Sequence, residues 1–183
     1  QYLHAQGCQW TSSTCRNAAT SGSLECLQFA VENGCPMEAD VCVVAACCGH
    51  LNCLMYAHTM GCAWDASTPA AAASNGNLEC LRYACYHGCP WDESTCIEAA
   101  RYGHLSCLQF AFEGSCRRGV KTANAAAGHG HLDVLEYVRT KGCRWDASTT
   151  AAAARNGQLQ CLIHAHSHGC AWDYRVLDCA TRA

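Results

Sequence analysis

The chain has 183 residues, half of them apolar, a formal net charge of −3 and 19 cysteines. That length can bury a core without staples; no apolar run nears the ~18 residues of a membrane span, and the acidic balance excludes a general nucleic-acid binder. So many cysteines would signal a disulfide framework in a short secreted protein, but the count is odd and no charged-then-apolar leader is visible, which points to reduced thiols and an intracellular setting, cytoplasmic or nuclear.

Gly-Cys pairs stand at Gly7-Cys8, Gly34-Cys35, Gly61-Cys62, Gly88-Cys89, Gly142-Cys143 and Gly169-Cys170, with Ser115-Cys116 in the one missing slot; the step is 27 residues throughout. A second ladder keeps the same step at Gly22, Gly49, Gly76, Gly103, Gly130 and Gly157, each followed two residues later by Leu. A fixed period of this length marks stacked supersecondary units. In chain order, residues 1–6 read as the tail of a second helix, full repeats span 7–33, 34–60, 61–87, 88–114, 115–141 and 142–168, and 169–183 form a lone first helix, all within one repeat domain. Opening on Gln1 and lacking a polar cap at either end, the chain reads as a piece of a longer array that continues in both directions.

Repeat 88–114 is the clearest copy. Its first helix is entered through Asp92, Ser94 and Thr95, runs from Cys96 to Arg101 and stops at Gly103, a residue free to take the left-handed conformation. The second places Leu105, Leu108 and Ala111 on one stripe with Cys107 beside them. Helices of two to three turns are unstable alone in water, so neighbouring repeats must supply the burial. Small residues in the first helix (Ala72, Ala73; Ala99, Ala100; Ala153, Ala154) permit close approach. The pattern predicts an all-α solenoid of stacked helix–turn–helix repeats.

One cysteine set follows the repeat glycine, and another lies in the second helix at Cys26, Cys53, Cys80, Cys107 and Cys161, where repeat 115–141 has Val134. A position that accepts Cys or Val is a small buried apolar site. Equivalent positions in adjacent repeats lie ~8–10 Å apart, too far for a disulfide; pairing between the two sets stays open. Trp10, Trp64, Trp91, Trp145 and Trp172 share one position, read as core wedges between layers because interleaved basic residues for base stacking are missing. His164, His166 and His168 stand beside Cys170, but only His164 and His168 share a helical face, which leaves a zinc-binding module as a minor reading. The histidines after the second glycine, His50, His104 and His131, are expected to hydrogen-bond the tight turn between helices. No phosphate loop, nucleophile elbow or H-E-x-x-H is present, and the recurring Asp65, Asp92, Asp146 and Asp173 fit capping, so neither an enzyme nor a cofactor is expected.

The stretch Ala99-Ala100-Arg101-Tyr102-Gly103-His104-Leu105 resembles the A-A-x-x-G-H-L core of ankyrin repeats, and the resemblance recurs at His50-Leu51 and at Gly130-His131-Leu132 with Asp133-Val134-Leu135 behind it. Ankyrin units usually have ~33 residues, so the connector that carries their projecting β-hairpin is here cut to a short C-x-W-D turn. Short G-C-P-W-D repeats also resemble ankyrin-type arrays of large DNA viruses and protists, sometimes attached to an F-box. The resemblance implies an ankyrin-like solenoid without β-hairpin fingers, acting as an adaptor or scaffold that binds a partner protein on its inner, first-helix surface. The expected contact residues are the first-helix positions that differ between repeats: Asn75, Glu98, Arg101, Tyr102, His129, Arg155 and Asn156. Arg101 and Tyr102 lead, since Arg and Tyr dominate interface energetics. Arg117 and Arg118 join them from repeat 115–141, where a local basic edge with Lys121, Arg139, Lys141 and Arg144 could receive an acidic partner segment. The competing reading is a structural component whose uncapped arrays self-associate. Neither nucleic acid nor membrane is expected as a partner.

Overall fold

The computed structural model describes residues 11–114 and 116–172, and Cys8, Trp10 and Asp173 lie outside them. The described residues contain twelve α-helices and no strand. They group into two compact units that divide between Trp91 and Asp92. The first unit holds α1 (Ser12–Ser21), α2 (Leu24–Glu32), α3 (Asp40–Cys48), α4 (Leu51–Thr59), α5 (Ser67–Ser74) and α6 (Leu78–Tyr86). The second holds α7 (Glu93–Arg101), α8 (Leu105–Glu113), α9 (Val120–His129), α10 (Leu132–Thr140), α11 (Ala147–Arg155) and α12 (Leu159–Ser167).

Within each unit every odd helix packs on its even partner and on the next odd helix, so the helix pairs stack in register. The alanine pairs set the spacing: Ala45, Ala46, Ala72, Ala73, Ala99 and Ala100 are fully buried and leave nothing to hold the backbones apart. The even helices bury the leucine ladder of Leu27, Leu54, Leu81, Leu108 and Leu135, all without solvent exposure, each contributing about 2 kcal/mol of apolar burial. Cys53, Cys80, Cys107 and Cys161 are buried beside them, at the position Val134 fills. Cys26, at the same position in α2, is exposed.

Asp92 caps α7 and Asp146 caps α11, each accepting from the amide two residues on at 2.8 Å. At the other end, Gly103 (φ 76°) turns the chain in the left-handed region. A Cβ there would also run into the His131 ring, so glycine is needed twice over. His131 sits there because its Nε2 donates to the carbonyl of Arg101 (2.9 Å), and His50 does the same to Thr20 (3.2 Å). Asn77, one repeat after His50, donates to Ala46 and Cys47 (3.0 and 2.7 Å). The expected bond to a tight turn between helices is thus made by His50 and His131 to the turn of the preceding repeat. Each reaches back to the preceding repeat and satisfies the last carbonyls of its first helix, which have no partner within that helix.

The turn cysteines tie the stack together in the same way. Cys35, Cys62, Cys89 and Cys170 are buried, and each thiol donates to a carbonyl 24 residues earlier, at the entry to a first helix: Thr11, Glu38, Asp65 and Asp146, at 3.0–3.2 Å. Cys116 holds the equivalent place, 3.3 Å from the Asp92 carbonyl, and its sulfur also meets that of Cys96 in bonding contact, their Cα atoms 7.0 Å apart. Reduced thiols are the expectation, and Cys96 with Cys116 is the one described pair whose sulfurs meet. The pair joins a turn cysteine to the first-helix ladder of Cys15, Cys42 and Cys96, not to the second-helix set. The other described cysteines are free thiols.

Candidate functional site

Packing uses the alanines of the first helices and, from α5 onward, buried threonines, and leaves the last turn and the groove-facing positions free. In the second unit these free residues converge. Ile97 and Arg101 of α7, Lys121 and His129 of α9, and Arg155 of α11 line a groove of about 400 Å³. Its floor is made of Ala125, Gly128 and Ala152. The floor stays low because α9 and α11 approach closely at Gly128, where a Cβ would lie 3.2 Å from Asn156 Nδ2 and 3.4 Å from the Ala152 Cβ. Two asparagines complete the wall. Asn156 donates to the Gly128 carbonyl (2.7 Å), and Asn124 donates to Ser148 Oγ (2.7 Å) and accepts from the Thr149 hydroxyl (2.6 Å). Both are fixed before any ligand arrives.

The electrostatics are one-sided. Arg101 forms a loose ion pair with Glu98, one helical turn back at 3.6 Å, and its Nε is shut off from solvent without an acceptor. Lys121 and Arg155 are exposed, and neither has an anionic partner among the described residues. His129 Nδ1 is engaged by the Ala125 carbonyl at 3.0 Å, which leaves Nε2 outward.

Of the residues singled out from sequence, Arg101, His129, Arg155 and Asn156 line this one groove, and Glu98 reaches it through Arg101. Lys121 had been placed on a basic edge, and Asn124 and Ile97 were not singled out; all three belong to the wall. Tyr102, about half exposed, follows the end of α7 without lining the groove. Arg118 is spent elsewhere: its guanidinium lies 5.5 Å from the Phe112 ring centroid and donates to the Phe112 carbonyl (3.4 Å). Arg139 and Lys141 likewise lie over Trp145 and Tyr137, so the basic edge read from sequence is largely engaged with aromatic rings. Arg117 is exposed. Asn75, in the first unit, donates to Cys47 Sγ and Ser74 Oγ (3.2 and 2.9 Å) at the end of α5.

The tryptophan ladder is corrected: Trp64 and Trp145 are half-buried and Trp172 is 47% exposed, none of them in the core. They do lie between repeats, but against second-helix side chains. Trp64 stacks on His58 (3.8 Å) with its edge toward Tyr83, and Trp172 meets His166. The indole is too long for a gap set by alanines. The rings of His164 and His168 lie 4.2 Å apart, burial and the neighbouring His168 hold His164 below its ordinary pKa, and among the described residues no three metal-binding side chains converge. Burial pushes Cys80 and Cys107 to about 11, which keeps these thiols protonated and inert at neutral pH. Cys62 differs: a hydrogen bond from Cys42 lowers it, while Cys42 rises. No helix of the described residues is long and apolar enough to cross a membrane.

No family model and no curated protein matches the chain. Among solved structures it is similar to the crystal structure of the human ASB11 ankyrin repeat domain, with a TM-score of 0.71 over 86% of this chain and 84% of that one, at 16% sequence identity. At that identity the likeness speaks for architecture. In place of the ankyrin β-hairpin, the described connectors carry the cysteine turn and no strand. This chain has the ankyrin-repeat fold.

Proposed function

We propose that the chain is a protein-interaction module, an adaptor or scaffold whose partner lies along the free ends of the first helices. The single observation that carries this reading is the convergence of unused side chains. Scaffold contacts consume the same positions in every repeat, and the leftover residues of three successive first helices line one continuous groove in the second unit. The contact set comprises Arg101, His129, Arg155 and Asn156 in the groove, Glu98 and Tyr102 at its margin, and Arg117 beyond it. Asn75 offers the equivalent position in the first unit. Fold supports the reading by analogy, since ankyrin-type surfaces serve binding, and the residues give it content.

A photo-crosslinking amino acid placed in turn at Ala71, Ala152 and Ile163 tests it in cells that express the chain. Ala71 and Ala152 belong to first helices, and Ile163 is exposed on a second helix. The expected result is a covalent adduct to one discrete protein from the first-helix positions and little from Ile163. Adducts confined to Ile163, or covalent dimers of the chain itself, would overturn it in favour of a self-assembling structural component.

A further inference from the structure

The groove has a definite chemical preference. Resting on the interaction reading above, we propose that the α7–α9–α11 groove receives an extended acidic segment of the partner protein. The carboxylates of that segment pair with Arg101, Lys121 and Arg155, and its backbone lies on the alanine–glycine floor.

Three observations point to this occupant. The chain as a whole is acidic at −3, so a groove with three cations and no carboxylate on its lining is a local reversal rather than background. The cations are also unspent: Lys121 and Arg155 face no anion, and Arg101 is held by a single loose contact while its Nε lacks an acceptor. A guanidinium shifted from Glu98 onto an incoming carboxylate can form the two parallel bonds that Glu98 does not supply. The floor then fixes the shape of the ligand. No floor side chain is longer than a methyl group, so an extended backbone can approach directly, and the side-chain oxygen of Asn156 is left to accept a peptide N–H. Since Asn124 and Asn156 are held by bonds within the stack, binding need not order them.

A nucleic-acid strand would present the same negative charge. It is disfavoured because no aromatic side chain lines the groove to stack a base.

Fluorescence anisotropy on the purified chain tests the proposal with a fluorescein-labelled peptide of alternating glutamate and alanine, its glutamine counterpart, and a single-stranded oligonucleotide of equal charge. The expected result is binding of the glutamate peptide that weakens with salt, and at least ~tenfold weaker binding of the glutamine peptide. A Lys121→Glu, Arg155→Glu variant is expected to lose ~tenfold or more toward the glutamate peptide and to gain binding of a lysine–alanine peptide, which a merely misfolded protein could not do. Equal affinity for the glutamate and glutamine peptides, or tighter binding of the oligonucleotide, overturns the proposal. The crosslinking result separates the two readings. Undiminished adducts from Ala152 in the charge-reversed variant remove the acidic segment and keep the module. Adducts confined to Ile163 remove the module whatever the peptides do.

Discussion

In the first unit, the first-helix residues left over after packing include Val44, Cys47, Cys48, Ala71, Ser74 and Asn75, none of them charged. In the second unit the same positions bring Glu98, Arg101, His129 and Arg155. Beneath both runs lies the same frame of buried alanine pairs, buried leucines, thiols on carbonyls and a polar side chain reaching back from the next repeat. The difference teaches that the positions that hold the stack together and those that carry charge are separate in the repeat. One set is fixed by how helices meet, whereas the other is left to chemistry.

The strongest way to break that comparison is to attack the shared frame. Leu54→Ala in the first unit and Leu108→Ala in the second each empty a site with no solvent exposure, and each is expected to cost about 2–5 kcal/mol in urea unfolding. A gap between them above about 2 kcal/mol would show that the two frames are not equivalent.

A smaller effect separates two sites of the same register by sign. The buried hydroxyl of Thr68 has no hydrogen-bond partner, whereas Thr149, at the equivalent position, donates to Asn124 in the groove wall. Thr68→Val is expected to raise stability slightly, and Thr149→Val to lower it by about 1 kcal/mol by stripping Asn124 of a donor. Matched losses at both sites in thermal melts would deny the groove its ordered wall.

The smallest effect concerns the caps. Hydrogen bonds from the Ser94 hydroxyl and amide hold Asp92 below the ordinary carboxylate range, and Ser67 does the same for Asp65. Because the folded-state pKa is the lower one, the stabilisation is complete above the ordinary carboxylate value and is lost as pH falls through the folded one. Asp92→Ala is expected to cost about 1 kcal/mol at neutral pH, with the gap to the parent closing in urea titrations as pH falls below the ordinary carboxylate range.

The frame was legible in the sequence because its causes are local. A 27-residue step, capping aspartates, left-handed glycines and a leucine stripe each act within one repeat. Arg101, His129, Arg155 and Asn156 were legible because they vary where the frame does not. Lys121 and Asn124 were assigned elsewhere or missed, since which helical turn faces the groove depends on how neighbouring repeats are rotated, and no period within a repeat encodes that. The same reason hid the true partners of His131 and Cys170, which lie 30 and 24 residues upstream. The cysteine step was plain, but that the thiol is a donor depends on which carbonyl the stack brings to it.

The long reach of His50, Asn77 and His131 gives the array a direction. Each finishes a helix that was synthesised before it, from a position beyond the intervening glycine. A chain leaving the ribosome therefore always trails one helix with its terminal carbonyls bathed in water, waiting for about thirty further residues to emerge. A protease that nicked the chain just before such a residue would loosen the helix upstream of the cut, so damage in this molecule travels toward its N-terminus.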